Sequence, residues 1–509
     1  MLAKIASSAV VGLTAVPVDV EVDIASSGLP SFQIVGLADR AVEEAKERVR
    51  AALKNSGGEF PAKRITVNLA PAELPKEGSS YDLPIAVGIL TAAGEIAPNL
   101  DNSLILGELS LDGNLRKVAG VLPQVVAAQA AGIKKAFLPK ANAPEAALVS
   151  NIEIYPVENL TQLVKHVREI EQIKPISNQG TEKFLAESDD FELDLAQILG
   201  QEQGKRALEI AASGFHNILF TGPPGAGKTM LAKTLPTIMP KLTFDEALEI
   251  TKIYSVVGKI PANSPLVSRR PFRSPHHTAS HIGLVGGGNQ PRPGEITLAH
   301  GGVLFLDEFA EFPRQVMEAL RQPLEDGVVT VSRARGTATF PAKFILIAAS
   351  NPCPCGFLGD PKKECVCTPA SVTRYQKRIS GPILDRIDIH LEVPAVEVEK
   401  LTGEATGNET SAKIRQRVEK AREIQRKRFV SGKIFANSQM SNEQVKKFCK
   451  LDEKSLALLK TAVSELGLSA RGFYKTIKIA RTIADLEGSV DIKLEHIAEA
   501  LQYRPKREN

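Results

Sequence analysis

Tryptophan is missing from this 509-residue chain, and aromatic residues make up only 5% of it. A row of stacking aromatics is therefore not its main device for holding a single nucleic-acid strand. Charge is nearly balanced, with 63 Lys and Arg against 59 Asp and Glu, a net of +4. That balance neither demands nor excludes nucleic acid, and it confines any such surface to a local patch. No apolar run is long enough to span a bilayer, so no membrane partner is expected. Cysteine is scarce: there are five, four of them crowded into 353–367, which is not a secreted disulfide framework. The N-terminus faintly resembles a signal peptide. However, Lys4 is its only early charge, Ser and Gly interrupt its apolar stretch, and it runs into the alternating, strand-like Val18–Asp23. A cytoplasmic protein is expected.

What is present reads as an ordinary globular composition, 43% hydrophobic and 24% charged, long enough for about three domains. Strand and helix signals alternate through residues 1–170. The strand-like runs are Val18–Asp23, Ser31–Val35, Arg64–Asn68 and Ala136–Leu138, and the helix-like runs are Ala41–Asn55, Pro84–Ala93 and Leu122–Ala131. A polar stretch without apolar periodicity marks a linker over 171–190. A second α/β block spans 191–400. After a polar break, 401–509 is helical, with segments near 411–429, 442–450, 453–465, 469–486 and 492–502. The fold class is α/β with a helical C-terminal part.

Gly222-Pro223-Pro224-Gly225-Ala226-Gly227-Lys228-Thr229 is a complete G-x-x-x-x-G-K-[ST] phosphate loop. A strand-like run, Asn217–Thr221, precedes it and a helix start follows, which is the context the motif requires. The glycines let backbone N–H groups close around phosphate oxygens, and the helix N-terminus adds a favourable dipole. Lys228 would reach the β- and γ-phosphates and Thr229 would ligate Mg²⁺. About eighty residues on, the apolar run from Gly302 ends in Asp307 and Glu308. Asp307 suits Mg²⁺ held through water, and Glu308 suits the general base that ATP hydrolysis requires. A third apolar run, Phe344–Ala349, ends at Asn351, which is placed either to orient the lytic water or simply to cap a loop. Arg386, just before the strand-like Ile387–Val393, is either a guanidinium for phosphoryl charge or a surface salt-bridge partner.

These parts together resemble the AAA+ superfamily, and more narrowly the magnesium-chelatase-like YifB/ComM family. The residues that carry the resemblance are Arg273-Ser-Pro-His-His277-Thr-Ala-Ser280, Gly294–Gly302, Glu325-Asp-Gly327, Ser350-Asn-Pro-Cys-Pro-Cys-Gly356, Ile379–His390 and Leu468–Leu486. The resemblance spans essentially the whole chain. It implies a Lon-protease-like α/β domain, an AAA+ core and a C-terminal helical lid. It further implies a homo-hexameric ring with ATP and Mg²⁺ at subunit interfaces, Arg386 acting in trans and Arg471 as the sensor-2 arginine of the lid. Two insertions come with it. One spans about Arg269–Ile296, and the other is a hairpin over Val328–Pro341 whose Arg333 and Arg335 either meet a phosphate backbone or stay solvated. The implied activity is DNA translocation and branch migration in recombination or natural transformation, on branched or single-stranded DNA. The rival is remodelling of a protein or metallocofactor partner, as in magnesium chelatase itself.

Four further features stand beside that resemblance. Cys353, Cys355, Cys365 and Cys367 form C-x-C…C-x-C, which reads as a structural Zn²⁺ site, as free buried thiols or as a redox centre, in that order. Cys449 reads as packed. His276, His277 and His281 read as structural or as substrate contacts rather than metal ligands, because no acid stands at ligand spacing. Ser80 resembles the Lon-type nucleophile, but Leu122 stands where its lysine base should fall, so protease activity is not expected. Basic candidates for DNA are Lys76, Lys134, Lys135 and Lys140, each more readily read as a solvated lysine, and the run Lys413–Arg428, equally a DNA contact or a solvated lid helix.

Overall fold

The computed structural model describes residues 2–37, 39–97, 100, 102–176, 191–261, 264–288, 291–333, 336–361, 363–395, 408–430 and 434–505. Contacts divide the chain into two units. The first is Met1–Ala186 with Phe244–Ser268, and the second is Glu187–Thr243 with Arg269–Asn509.

The first unit begins on a strand, Leu2–Val11, paired antiparallel with Thr14–Ile24. The residues that resembled an export signal form this strand, alternating in burial from Leu2 to Ser7 and buried on through Ala9. Arg64–Ala70 pairs antiparallel with Thr14–Ile24 and parallel with Ser31–Val35, completing a four-stranded sheet. The helix Asp82–Ala93 lies almost wholly buried against that sheet. Gly88 allows the approach: a Cβ there would meet Val22 Cγ2 at 2.5 Å. A second, parallel sheet of three strands orders Ser103–Ile105, Lys135–Pro139 and Glu153–Val157.

The second unit carries five parallel strands in the order Phe272–Arg273, Val303–Leu306, Ile345–Ser350, Ile218–Thr221, Ile389–Glu392. The strands read as continuous apolar runs because helices cover the sheet. Helices Ser411–Arg428, Asn442–Phe448, Glu453–Leu466, Ala470–Leu486 and Leu494–Gln502 follow. Their inward residues, including Val418, Leu459, Ile479 and Ile497, share one hydrophobic core with the sheet residues Ile218, Phe305 and Ile347.

Contacts thus divide the chain differently from sequence periodicity. The C-terminal helices share a core with the 191–400 block. The helix Phe244–Val256 and its sequel to Ser268, inside that block in sequence, group with the first unit. Ser255 shows how: its Oγ donates to Glu145 Oε2 at 2.9 Å and its carbonyl accepts from Gly120 N–H at 2.8 Å. Most of the 171–190 linker and the 401–407 break lie outside the described residues. Among the described residues no helix is long and apolar enough to cross a membrane.

Candidate nucleotide-binding site

The central strand Ile218–Thr221 delivers the chain into the phosphate loop at the carboxyl edge of the sheet. Gly222 must be glycine, because a Cβ there would lie 2.1 Å from the Val393 carbonyl oxygen. Gly225 and Gly227 take φ of +77° and +88°, the left-handed region that glycine enters freely. Gly227 caps the helix Lys228–Ile238, so the helix N-terminus faces the loop. Lys228 is 8% exposed, and burial lowers its pKa. Its Nζ donates to Gly222 O at 2.6 Å, Pro223 O at 2.9 Å and Asn351 Oδ1 at 3.2 Å. An ammonium so ringed by oxygens has the donors that phosphate oxygens would accept.

Thr229 Oγ1 donates to Asp307 Oδ2 at 2.8 Å. A hydroxyl and a carboxylate paired beside a phosphate loop form a hard-oxygen donor set that fits Mg²⁺. Strand order explains the convergence. Ile345–Ser350, which ends at Asn351, lies between the carboxylate strand Val303–Leu306 and the phosphate-loop strand. Asn351 therefore meets Lys228, and Asp307 meets Thr229, across strand ends distant in sequence.

Glu308 sits at φ +51°, a left-handed conformation uncommon for a non-glycine residue. His277 Nδ1 lies 2.9 Å from its Oε2. Register accounts for this pair. Phe272–Arg273 runs parallel to the carboxylate strand with Arg273 opposite Leu304, and four residues further along each chain stand His277 and Glu308. The His276 ring packs on His277 at 4.1 Å between centroids, with Phe312 at 6.5 Å on edge. Sequence reasoning left His277 among structural or substrate contacts. The available signal was its offset from Arg273, which has meaning only once strand pairing is known. Among the described residues none of His276, His277 and His281 joins a cluster of metal-ligand atoms. A second cluster, Glu487, Glu495 and His496, is a helix cap. Its imidazole Nδ1 accepts from Lys493 N–H, so Nε2 carries the proton toward Glu487.

Arg386 and Arg471 meet on one carboxylate. Arg386 Nη2 donates to Glu325 Oε2, and Arg471 Nη2 lies 3.3 Å from Glu325 Oε1. The Arg386 bond holds the Glu325 carboxyl below its usual range. Behind Arg386 is a buried polar network that sequence reasoning did not single out. Asp388 accepts from Asn217 N–H and lies 3.2 Å from His216 Nδ1 and 2.9 Å from Lys475 Nζ. Burial alone would raise the Asp388 carboxyl, but Lys475 and His216 hold it far below the ordinary value. His390, next along, is depressed to about 3 by burial and by Arg504 and Lys475.

The basic candidates separate. Arg333 ends the first strand of the Val328–Pro341 hairpin and is exposed, whereas Arg335 lies outside the described residues. Lys76 is not a surface contact: it is fully buried, and its Nζ donates to the Pro71 carbonyl. Lys134 and Lys135 are exposed, and Lys140 pairs with Glu158 at 2.5 Å. The helix Ser411–Arg428 is not one basic face. Arg417 is bound to Glu209 and Glu409, the nearly buried Arg422 donates to Phe435 O, and Arg428 holds Asp485. In the first unit Ser80 is half-buried. Leu122 is buried, and its N–H donates to Ser255 Oγ at 3.3 Å.

The four clustered cysteines are free thiols whose sulfurs all lie within 4.8 Å of one another. Cys449 is buried apart from them, and burial pushes its thiol up to about 11.

Five parallel strands in this order, with a phosphate loop, two carboxylates and an asparagine converging at their carboxyl ends, define a phosphate-loop ATPase of the AAA+ type. Residues 194–401 match the family described as magnesium chelatase, subunit ChlI. Residues 20–142 match subunit ChlI of Mg-chelatase, and 408–504 match the subunit's C-terminal part. The competence protein ComM of Haemophilus influenzae is 46% identical over 505 residues, covering 99% of this chain and 97% of that protein. YifB of Escherichia coli is 43% identical over 510 residues, covering 99% and 97%. An archaeal Lon protease of Thermococcus kodakarensis is 31% identical over 137 residues, 26% of this chain and 21% of that protein. The chain therefore belongs to the ComM/YifB family of magnesium-chelatase-like AAA+ ATPases, with a Lon-like N-terminal region. Membership implies ATP and Mg²⁺ as ligands.

Proposed function

We propose that this protein is an ATP-hydrolysing ring motor that translocates on DNA and drives branch migration during recombination or natural transformation. Its likeness over nearly the full chain to a protein named for competence carries the DNA reading. The convergence of Lys228, Thr229, Asp307 and Asn351 supports the ATP reading.

In this reading Lys228 and the loop N–H groups of Gly222–Thr229 bind the phosphates, and Thr229 and Asp307 hold Mg²⁺, which supplies charge neutralisation at the transferring phosphoryl group. Glu308 takes the proton of the attacking water and Asn351 orients that water. Arg386 serves the neighbouring subunit's site in a homo-hexamer, and Arg471 reports nucleotide to the helical lid. Arg333 contacts the DNA backbone as the hairpin moves. The protein works in the cytoplasm. Its Lon-like region binds or shapes rather than cleaves, since Ser80 lacks a lysine at Leu122. Cys353, Cys355, Cys365 and Cys367 hold a structural zinc ion.

A second reading is favoured by the family description itself: a chelatase-like motor that remodels a protein or metallocofactor partner without DNA. ATP hydrolysis measured with and without a branched DNA junction, across a salt series, separates the two. Stimulation that weakens as salt rises is the result expected of the DNA motor. Turnover indifferent to DNA at every salt concentration would reject it in favour of the remodeller.

A further inference from the structure

The segment that carries Asn351 continues directly into the cysteine cluster. Cys353 lies two residues beyond Asn351 and is fully buried, while Cys355, Cys365 and Cys367 are partly exposed. Cys353 Sγ is 3.4 Å from Cys355 Sγ and 3.7 Å from Cys365 Sγ, and the last two are 3.6 Å apart. Four thiolates around one zinc at about 2.3 Å form a tetrahedron with edges of roughly 3.8 Å. The observed separations approach that edge, and they far exceed the ~2.05 Å of a disulfide.

The cluster also touches the nucleotide site. Gly356, at φ +85°, packs on the phosphate loop so closely that a Cβ there would lie 2.6 Å from Pro224 Cδ and 2.9 Å from Pro224 Cγ. The Gly356 N–H donates to Cys353 O, so this contact belongs to the turn between the first two cysteines. Described residues of 351–367 form no helix or strand. Besides the sulfurs, its ties include turn bonds such as Asp360 N–H to Phe357 O and Lys363 N–H to Asp360 Oδ1, each at 3.1 Å.

We propose that Cys353, Cys355, Cys365 and Cys367 form a zinc–thiolate knuckle that braces Pro224 and Asn351, so that ATP affinity depends on the bound metal. This rests on the ATP and zinc readings above and adds their coupling. The knuckle fixes the position of the Asn351 backbone, and Asn351 Oδ1 meets Lys228 Nζ. Removing the metal frees the excursion, and the loop contact at Gly356 and the Asn351–Lys228 bond loosen together.

The test uses the full-length protein as purified, with metal content, ATP affinity and turnover measured in parallel. About one zinc per chain is expected, and Co²⁺ substitution should yield the thiolate charge-transfer bands of a tetrahedral site. Cys365→Ser with Cys367→Ser should lose the zinc and weaken ATP binding roughly tenfold or more. Chelation of the native protein should do the same and zinc readdition should reverse it. Gly356→Ala serves if the double variant does not fold: it should keep its zinc and still bind ATP more weakly. A chain purified without zinc, or with iron in its place, overturns the proposal. So does a zinc-free protein with native ATP affinity. Lys228→Ala tests the underlying reading separately, because it should abolish ATP binding with zinc content unchanged; if it binds ATP normally, the site assignment fails and not the knuckle.

Discussion

Glu308 and His277 together set the first residue-scale expectation. The imidazole engages the carboxylate read as the general base, and a hydrogen bond of this kind contributes about 0.5–1.5 kcal/mol. His277→Ala frees that carboxylate, so turnover without DNA should rise by roughly 2- to 10-fold. Lower turnover in steady-state assays would mean that His277 aims the base instead of restraining it. Glu308→Gln should retain ATP affinity and lose turnover by about 10²- to 10⁴-fold, and normal turnover would remove Glu308 as the base. His390 sets a pH dependence. Its folded-state pKa is about 3 against an ordinary 6.5, so the unfolded chain binds the proton first. Its contribution to stability is complete above pH 6.5 and declines as pH falls toward 3, by about 1.4 kcal/mol per pH unit. Denaturant unfolding of His390→Asn should show a shallower acid-side loss than the native chain, and an unchanged slope would contradict the burial argument.

At the scale of elements, the Val328–Pro341 hairpin and the Ser411–Arg428 helix looked alike as basic segments. They differ in what their arginines touch. On the helix, Arg417, Arg422 and Arg428 are internal ties, bound to Glu209, Glu409, Asp485 and the Phe435 carbonyl. Arg333 stands exposed on the hairpin beside Gly287, where an added Cβ would lie 3.1 Å from its Nη2. Arg333→Ala should therefore weaken DNA binding and reduce the salt slope of log affinity by about one, with no change in DNA-free turnover. Binding isotherms at several salt concentrations read this directly, and an unchanged slope would move the DNA contact elsewhere.

For the whole molecule, the assembly decides whether the site is complete. Arg386 and Arg471 are both held by Glu325 within one chain. If Arg386 serves a neighbour's nucleotide, Arg386→Ala alone and Lys228→Ala alone should each lose turnover by about 10³-fold or more. Mixing the two should restore part of it, because some interfaces then join an intact loop to an intact arginine. Absence of rescue in mixtures shown to exchange subunits would place Arg386 in cis.

Sequence alone determined what is local. The phosphate loop, the Asp307–Glu308 strand, the Asn351 strand and the C-terminal helices follow from apolar runs, glycine spacing and helical periodicity, which are read within about twenty residues. Ser31–Val35 falls where its alternation placed it, and the helix expected from Ala41 begins one residue earlier, at Arg40. Only tertiary structure decided what is long-range. A helix such as Phe244–Val256 shows an apolar face in sequence, but not which body covers it. Lysine composition cannot tell that Lys76 is buried, and two C-x-C pairs do not reveal that their sulfurs converge. His277 reached Glu308 through the register of two parallel strands, and Arg386 met Arg471, 85 positions further along, through a shared carboxylate. Pairing and burial depend on the energy of the whole packed chain, and no window of sequence contains that sum.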